Sequence, residues 1–243
     1  MIRAVLFDLD DTLVDHRDAT RAALAGVRAT FPAFAAMSVD ELGAANQRIL
    51  EALHADVALG RTTAADARVE RYRRLFALAG EPAGRAGAAA ELHRRTYVAA
   101  RRRVEGALEL VTALHAQVRV AVVTNNTVAE QQDKLAEFGF AKEIDALVTS
   151  EEVGVAKPDP AIFHLALERL GTQPEHTLYV GDSLEFDLPG AAAAGLPFIW
   201  MNPRRESLPA DLPAPLATIE RLSELVGLLA QPLSAMGAIP PDA

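Results

Sequence analysis

The amino-acid sequence predicts an α/β fold in which a parallel sheet is interrupted by an inserted helical domain. Short apolar runs at residues 2–7, 118–123 and 177–180 each stop at polar residues, as buried strands do. The second and third runs are followed by helical patterns over about 127–138 and 186–194. Strand, polar turn and helix in this order are typical of parallel sheets. The stretch from 15 to 102 is rich in Ala, Leu, Arg and Glu and has no clear strand pattern.

Composition limits the class of protein. The chain has 243 residues, 50% of them apolar and 23% charged, which is the balance of a folded globular protein. A net charge of -9 argues against a nucleic-acid partner, and without cysteine neither disulfides nor thiolate chemistry is available. No apolar run reaches the roughly 18 residues of a membrane span. We therefore expect a cytoplasmic protein whose partner is a small phosphorylated metabolite and neither nucleic acid nor membrane; its oligomeric state stays open.

The remaining elements follow in chain order. Short strands are predicted at residues 146–149 and 197–200, and a helix is predicted to begin near Gly106. A proline-rich stretch follows Asn202, and the chain then carries apolar residues at helical spacing. These residues predict a last helix that docks on the sheet domain, and they are Ile219, Leu222, Leu225, Val226 and Leu229.

The insert sets the domain boundaries. Residues 15–102 are too many for an ordinary crossover between strands, so we assign them to a separate helical domain that covers the first strand's functional end as a lid. Residues 1–14 and 103–230 then form the sheet domain, and 231–243 are expected to be a flexible tail. Tyr72, Phe76 and Tyr97 are expected in the core of the insert rather than stacked on a base.

An acidic cluster follows the first strand. Asp8 and Asp10 lie two positions apart directly after Val5-Leu6-Phe7. In parallel sheets, ligands bind where strands end, so these carboxylates are candidates for two roles. One can attack a phosphorus atom, and the other can pass a proton to the leaving oxygen and later take one from water. The alternative is a solvated acidic turn or helix start.

Three later segments bring further polar groups to the strand ends. Thr124 and Asn125 can bind phosphoryl oxygens or form an ordinary turn. Lys157, whose backbone is stiffened by Pro158 and Pro160 directly after it, can neutralise a phosphate or lie on the surface. Asp182 and Asp187 follow Gly181 and suit a metal site, or a helix cap and a solvated helix position. Two like charges 4 Å apart repel by about 4 kcal/mol at an effective dielectric of about 20, so gathering these acids requires a divalent cation. We expect Mg²⁺.

Taken together, the four segments resemble the motifs of the haloacid dehalogenase superfamily. That family has a D-x-D-x-T first motif, a Thr or Ser that ends the second, a lysine as the third, and a fourth that begins Gly-Asp and ends in a second Asp. Here they read Asp8-Leu9-Asp10-Asp11-Thr12, Thr124, Lys157, and Gly181-Asp182 with Asp187. The resemblance extends over essentially the whole chain. It implies a Rossmann-like, doubly wound core with a helical cap inserted after the first motif.

The resemblance also implies a role for each residue. Asp8 would be the nucleophile that forms an aspartyl-phosphate, and Asp10 the general acid and base. Mg²⁺ would be held by the Asp8 carboxylate, the Asp10 carbonyl and Asp182. The phosphoryl group would be held by Thr124 with the backbone amides of Leu9, Asp10 and Asn125, while Lys157 and Asp187 support the site.

The motifs favour one branch of the family, because true dehalogenases lack both the acid at position 10 and the Gly-Asp of the fourth motif. This sequence is therefore similar to the phosphatases. Residues 181–191, 195–197, 200–203 and 68–76 also resemble members that act on nucleoside 5′-monophosphates. A sugar-phosphate phosphatase, a phosphomutase and a phosphate-binding regulatory module without turnover remain alternatives. None of these segments determines the substrate.

Overall fold

The computed structural model describes residues 2–58 and 61–229, so the predicted tail at 231–243 lies outside the described residues. The chain divides into two compact units: the segments before and after an insert form the first, and the insert itself, Asp15–Arg102, forms the second. The strands are β1 (Ala4–Phe7), β2 (Val14–Asp15), β3 (Arg102–Arg103), β4 (Arg119–Thr124), β5 (Ala146–Thr149), β6 (Thr177–Gly181), β7 (Phe198–Met201) and β8 (Ala217–Ile219). The helices are α1 (His16–Thr30), α2 (Val39–Ala58), α3 (Ala64–Leu78), α4 (Ala86–Ala100), α5 (Ala107–His115), α6 (Val128–Glu137), α7 (Ser150–Val153), α8 (Ala161–Leu170), α9 (Asp187–Ala193) and α10 (Ser223–Leu229).

A six-stranded parallel sheet organises the first unit, in the order β5-β4-β1-β6-β7-β8. The chain fills one side of β1 with β4 and β5, and then returns to the other side with β6, β7 and β8. Phe7 is paired with Val122 on one neighbour and with Val180 on the other, so the carboxyl ends of these strands lie at one edge. The predicted α/β class is confirmed. In open parallel sheets, ligands bind at the carboxyl ends of the strands, next to the point where the strand order reverses.

Alternating side chains of β1 enter two separate apolar layers. Val5 and Phe7 belong to the layer that contains residues of α5, α6 and α10, whereas Leu6 belongs to the layer that contains residues of α8 and α9. A strand that is buried on both faces has a continuous apolar sequence, as residues 4–7 have here. Helices on both faces make the sheet doubly wound, as expected.

The predicted strands and helices of this unit lie within two residues of the observed ones at most of their ends, but one assignment is wrong. Ile219 was expected on the last helix, whereas it ends β8 and is paired with Met201 of β7. Helix α10 begins only at Ser223. Ile219, Leu222 and Leu225 are all buried, so the same apolar spacing arises from a strand, a turn and a helix in succession.

The second unit, Asp15–Arg102, consists of the helices α1–α4 with short connections. Asp15 caps α1 by accepting a hydrogen bond from the Asp18 amide, and Thr63 caps α3 by accepting one from the Asp66 amide. The predicted aromatic residues Tyr72, Phe76 and Tyr97 are all buried, as expected for its core. Among the described residues of the chain, helices that combine the length and the apolarity needed to cross a bilayer do not occur.

Candidate active site

A tight loop carries the first acidic cluster away from β1. The Asp8 amide still donates to the Val180 carbonyl at 2.9 Å, and the amides of Leu13 and Val14 both donate to the Leu9 carbonyl at 2.9 Å. Asp11 has a left-handed backbone with φ of 64°, which Asp tolerates better than most residues. The chain therefore turns back on itself within a few residues, with Asp8 at the strand end and Asp10 in the turn.

A buried lysine joins the first and fourth motifs. The Lys157 Nζ lies 2.6 Å from Asp8 Oδ1 and 2.7 Å from Asp187 Oδ1, and it also donates to the Tyr179 hydroxyl at 3.0 Å. Burial alone would lower the pKa of Lys157, but the Asp187 and Asp8 carboxylates outweigh that effect and raise it. Lys157 is therefore a fixed positive charge within the site.

The second motif fixes the backbone of that lysine. The Asn125 side chain donates to the Lys157 carbonyl at 2.9 Å and accepts from the Lys157 amide at 2.7 Å. Asn125 directly follows Thr124, the last residue of β4, and Thr124 is buried at the strand end. The Asn125 side chain thus holds the lysine in place, a role that the sequence analysis did not assign to it.

The second acid of the fourth motif is fully enclosed. Asp187 Oδ1 accepts hydrogen bonds from Lys157 and from the Tyr179 hydroxyl at 2.6 Å, and its Oδ2 accepts one from the Ser183 amide at 3.0 Å. Burial, followed by the charge of Asp187, raises the pKa of Tyr179 well above its ordinary value, so the phenol keeps its proton and donates a hydrogen bond to Asp187. Asp187 therefore anchors the lysine.

Gly181 is required because the Asp187 carboxylate lies against it. A Cβ atom at Gly181 would lie 2.3 Å from Asp187 Oδ2, and that carboxylate is held from both sides. We expect Gly181→Ala to lower the free energy of unfolding by about 1–3 kcal/mol, the usual range for overpacking. Gly87→Ala is the matched control, because nothing lies within 4 Å of the added Cβ in helix α4, and it should cause no loss. Denaturant unfolding measures both, and equal stability of the two variants would contradict this explanation.

Carboxylate oxygens of Asp8, Asp182 and Asp187 all lie within 4.8 Å of one another. Burial raises the pKa of Asp8 to about 7; the positive charge of Lys157 acts against this rise, and the negative charge of Asp187 adds to it. Burial, followed by the charges of Asp8 and Asp187, raises the pKa of Asp182 well above its ordinary value. One lysine thus leaves uncompensated negative charge, and a hard divalent cation on oxygen ligands fits this donor set. Because Asp187 is committed to Lys157, Tyr179 and Ser183, the carboxylates suited to a cation are those of Asp8 and Asp182.

The position of Asp182 is fixed from the neighbouring strand. The indole Nε1 of Trp200, in β7, donates to the Asp182 carbonyl at 2.9 Å. Asp182 directly follows Gly181, the last residue of β6, and β6 pairs with β1. The side chain that the sequence analysis assigned to the metal therefore lies at the end of the strand next to Asp8.

Asp10 is bound by two residues that the sequence analysis missed. Lys134 Nζ lies 2.6 Å from Asp10 Oδ1 and 2.8 Å from Oδ2. The Gln131 amide nitrogen donates to Asp10 Oδ2 at 3.1 Å and to Thr124 Oγ1 at 2.9 Å. Both residues belong to helix α6, and both are buried. The sequence did contain a sign of their role. Both residues lie with Leu135 on the buried face of an amphipathic helix, where polar side chains are unexpected.

The predicted site residues thus come together at one end of the sheet. Asp8, Lys157 and Asp187 form one hydrogen-bonded chain, and Thr124 and Asp10 are linked through Gln131. Leu9 follows Asp8 in the same loop, with its side chain buried in the apolar layer. The geometry brings together a buried carboxylate at the end of β1, a second carboxylate in the following turn, a lysine held as a fixed cation and an acidic pair that fits a metal.

Comparison with known proteins agrees with this arrangement. The family model described as haloacid dehalogenase-like hydrolase matches residues 2–195. Pyrimidine 5′-nucleotidase YjjG of Escherichia coli (strain K12) is 40% identical over 125 residues, covering 51% of this chain and 55% of that protein. Ribulose-1,5-bisphosphate 5-phosphatase of Halopiger xanaduensis is 32% identical over 212 residues, covering 85% of this chain and 87% of that protein.

A third relative is similar over nearly its whole length. The HAD-hydrolase YfnB of Bacillus subtilis (strain 168) is 30% identical over 230 residues, covering 93% of this chain and 95% of that protein. Its crystal structure with bound magnesium superimposes with a TM-score of 0.74 at 27% identity, covering 95% of this chain and 99% of that one. The family model, these relatives and the four motifs at the strand ends agree. This chain belongs to the haloacid dehalogenase-like hydrolase family and is a hydrolase of the phosphatase type.

Proposed function

We propose that this enzyme releases phosphate from a small phosphomonoester by way of a phosphoryl group carried on Asp8, with nucleoside 5′-monophosphates as the leading substrate class. The observation that carries the proposal is the contact of Lys157 Nζ with Asp8 Oδ1 at 2.6 Å. A buried lysine held between Asp8 and Asp187 orients the nucleophile and opposes the charge of an incoming phosphate. Asp10 supplies the second carboxylate that the reaction needs.

In the first step, Asp8 attacks the phosphorus atom. The attacking oxygen is Oδ2, because Oδ1 already accepts a hydrogen bond from Lys157. The bond from phosphorus to the leaving oxygen breaks, and Asp10 in its acid form gives that oxygen a proton. Thr124 and the backbone amides of Leu9, Asp10 and Asn125 bind the phosphoryl oxygens during transfer.

In the second step, water attacks the phosphorus atom of the aspartyl-phosphate. Asp10, now a carboxylate, takes a proton from that water, the bond from phosphorus to Asp8 breaks, and inorganic phosphate leaves. Asp8 and Asp10 then return to their starting states. Splitting the hydrolysis in this way replaces one very slow displacement by two faster ones.

Mg²⁺ is the proposed cofactor, held by the Asp8 carboxylate, the Asp10 carbonyl and Asp182. When bound, it neutralises charge on the phosphoryl oxygens and on the crowded carboxylates. The raised pKa values of Asp8 and Asp182 support this assignment, because burial and then the neighbouring carboxylates disfavour the charged forms of both groups, and Lys157 alone does not offset these effects.

The substrate class rests on likeness rather than on geometry. The 40% identity to a pyrimidine 5′-nucleotidase favours nucleoside monophosphates. A sugar phosphate is the second candidate, favoured by the longer match to ribulose-1,5-bisphosphate 5-phosphatase. We propose that the helical insert, residues 15–102, is the cap.

The test is phosphate release from a panel of phosphomonoesters that includes pyrimidine and purine nucleoside monophosphates and pentose and hexose phosphates. We expect Mg²⁺-dependent release, abolished by EDTA, with the highest kcat/KM for a nucleoside 5′-monophosphate. Fastest turnover of a pentose phosphate would replace the leading substrate class by the second. Isomerised sugar phosphate without free phosphate would instead identify a mutase, and inactivity across the panel would favour a binding module.

A further inference from the structure

Lys134 is an unusual residue to find inside this unit. Its side chain has 0% exposure, and its Nζ contacts both oxygens of Asp10, whose side chain is 19% exposed, with Glu130 Oε1 further away at 3.6 Å. Lysine is rarely buried in full. A buried ion pair is also no more stabilising than apolar residues of similar volume, so the fold alone gives no reason to place a lysine here.

Gln131 acts on the same carboxylate from one turn earlier on α6. Its Nε2 donates to Asp10 Oδ2 at 3.1 Å and to Thr124 Oγ1 at 2.9 Å. The reverse orientation of the amide would set its oxygen against the Asp10 carboxylate, so the donating orientation is favoured. Because Thr124 accepts this bond through Oγ1, its own O–H proton stays available for another acceptor.

We infer that Lys134 and Gln131 are positioning residues that hold the Asp10 carboxyl group, and with it Thr124, in the geometry that phosphoryl transfer requires. The inference rests on the proposed function, in which Asp10 gives a proton to the leaving oxygen. Asp10 lies in a turn next to a left-handed residue, and three hydrogen bonds from α6 hold its carboxyl group. Misplacing a catalytic group by about 1 Å can lower a rate by about 10²-fold.

The chemistry supplies a readout that a merely structural role would not change. An alkyl phosphate needs a proton on its leaving oxygen as the bond from phosphorus breaks, whereas the nitrophenolate ion of p-nitrophenyl phosphate leaves without one. The value of kcat/KM reports the steps up to that bond cleavage. Loss of a residue that positions Asp10 therefore slows the alkyl ester selectively, whereas general damage to the fold slows both esters alike.

The experiment compares kcat/KM for p-nitrophenyl phosphate and for an alkyl phosphomonoester in the full-length protein with Mg²⁺. We expect Lys134→Met to slow the alkyl ester by about 10²-fold and the aryl ester by less than about threefold. Gln131→Met should give a smaller loss with the same preference. Lys142→Met, at an exposed lysine outside the site, should change neither value.

Asp10→Asn separates this inference from the proposed function. If Asp10→Asn slows the alkyl ester selectively but Lys134→Met and Gln131→Met slow both esters equally, or neither, the positioning role is wrong while the role of Asp10 stands. If Asp10→Asn itself shows no such selectivity, the proton-donor role of Asp10 is wrong, and the inference falls with it.

Discussion

Asp8→Asn is expected to reduce phosphate release by at least about 10⁴-fold, because an amide nitrogen or oxygen cannot replace the carboxylate as nucleophile. Lys157 and Asp187 remain to hold the site together, and Asn accepts a hydrogen bond from Lys157 much as Asp8 Oδ1 does at 2.6 Å. The fold should therefore persist. Steady-state phosphate release measures the loss, and circular dichroism checks that the protein remains folded.

Asp11→Asn is the matched control for this variant. It removes a carboxylate from the same loop, and Asn suits the left-handed backbone of position 11, where φ is 64°. We expect its activity to stay within about threefold of the parent, in line with the small effects of substitutions outside the reacting groups. Equal losses in the two variants, or substantial turnover by folded Asp8→Asn, would show that Asp8 is not the nucleophile.

Asp182→Asn is expected to abolish activity and to remove most of the stabilisation that Mg²⁺ gives. Mg²⁺ at about 100 times its Kd would stabilise the parent by about 2.7 kcal/mol, and the variant, which lacks one carboxylate ligand, should lose most of that gain. In EDTA, where no Mg²⁺ is bound, the variant should be more stable than the parent, because it has one acidic group fewer beside Asp8 and Asp187. Thermal unfolding with and without Mg²⁺ measures both effects.

The pH dependence has a definite sign. The pKa of Asp8 in the folded protein is about 7, above its ordinary 3.8, so the folded state keeps this proton after the unfolded chain has released it. The metal-free protein therefore loses stability as pH rises between about 4 and 7. Mg²⁺ binds the deprotonated carboxylates, so the stabilisation that it gives should be larger at about pH 8 than at about pH 5.

Glu185→Gln serves as the control for Asp182→Asn, since Glu185 is an exposed acid in the same segment. It should leave both the activity and the stabilisation by Mg²⁺ unchanged. An equal response to Mg²⁺ in Asp182→Asn and in the parent would contradict the assignment of Asp182 to the metal.

The strands and the residues at their ends could be predicted because both depend on local pattern. Apolar runs that stop at acids or at Thr-Asn mark buried strands of a parallel sheet, and the edge where such strands end is a general binding position. The order of the elements was therefore enough to predict that Asp8, Thr124 and Asp182 lie close together. Ile219 was misassigned because a strand and a helix both bury residues at such short spacings, and pairing with β7 decided between them.

The partners of these residues could not be predicted in the same way. Tyr179 reads as one more apolar strand residue, and its hydrogen bonds to Lys157 and Asp187 depend on how β6 packs against a distant segment. Lys134 contacts Asp10 across more than 120 positions of sequence. A polar residue on a buried helix stripe signals that a partner exists, but only the packing of α6 against the first loop identifies it.

Trapping the covalent intermediate is the most direct test of Asp8 as the nucleophile. The protein is mixed with substrate and Mg²⁺, quenched in acid after a few milliseconds to seconds, digested and mapped by mass spectrometry. We expect one added phosphoryl group, labile to hydroxylamine as an acyl phosphate is, on the peptide that contains Asp8. A phosphoryl group on another residue, or rapid turnover with no phosphorylated enzyme at any quench time and no burst of released alcohol, would contradict it.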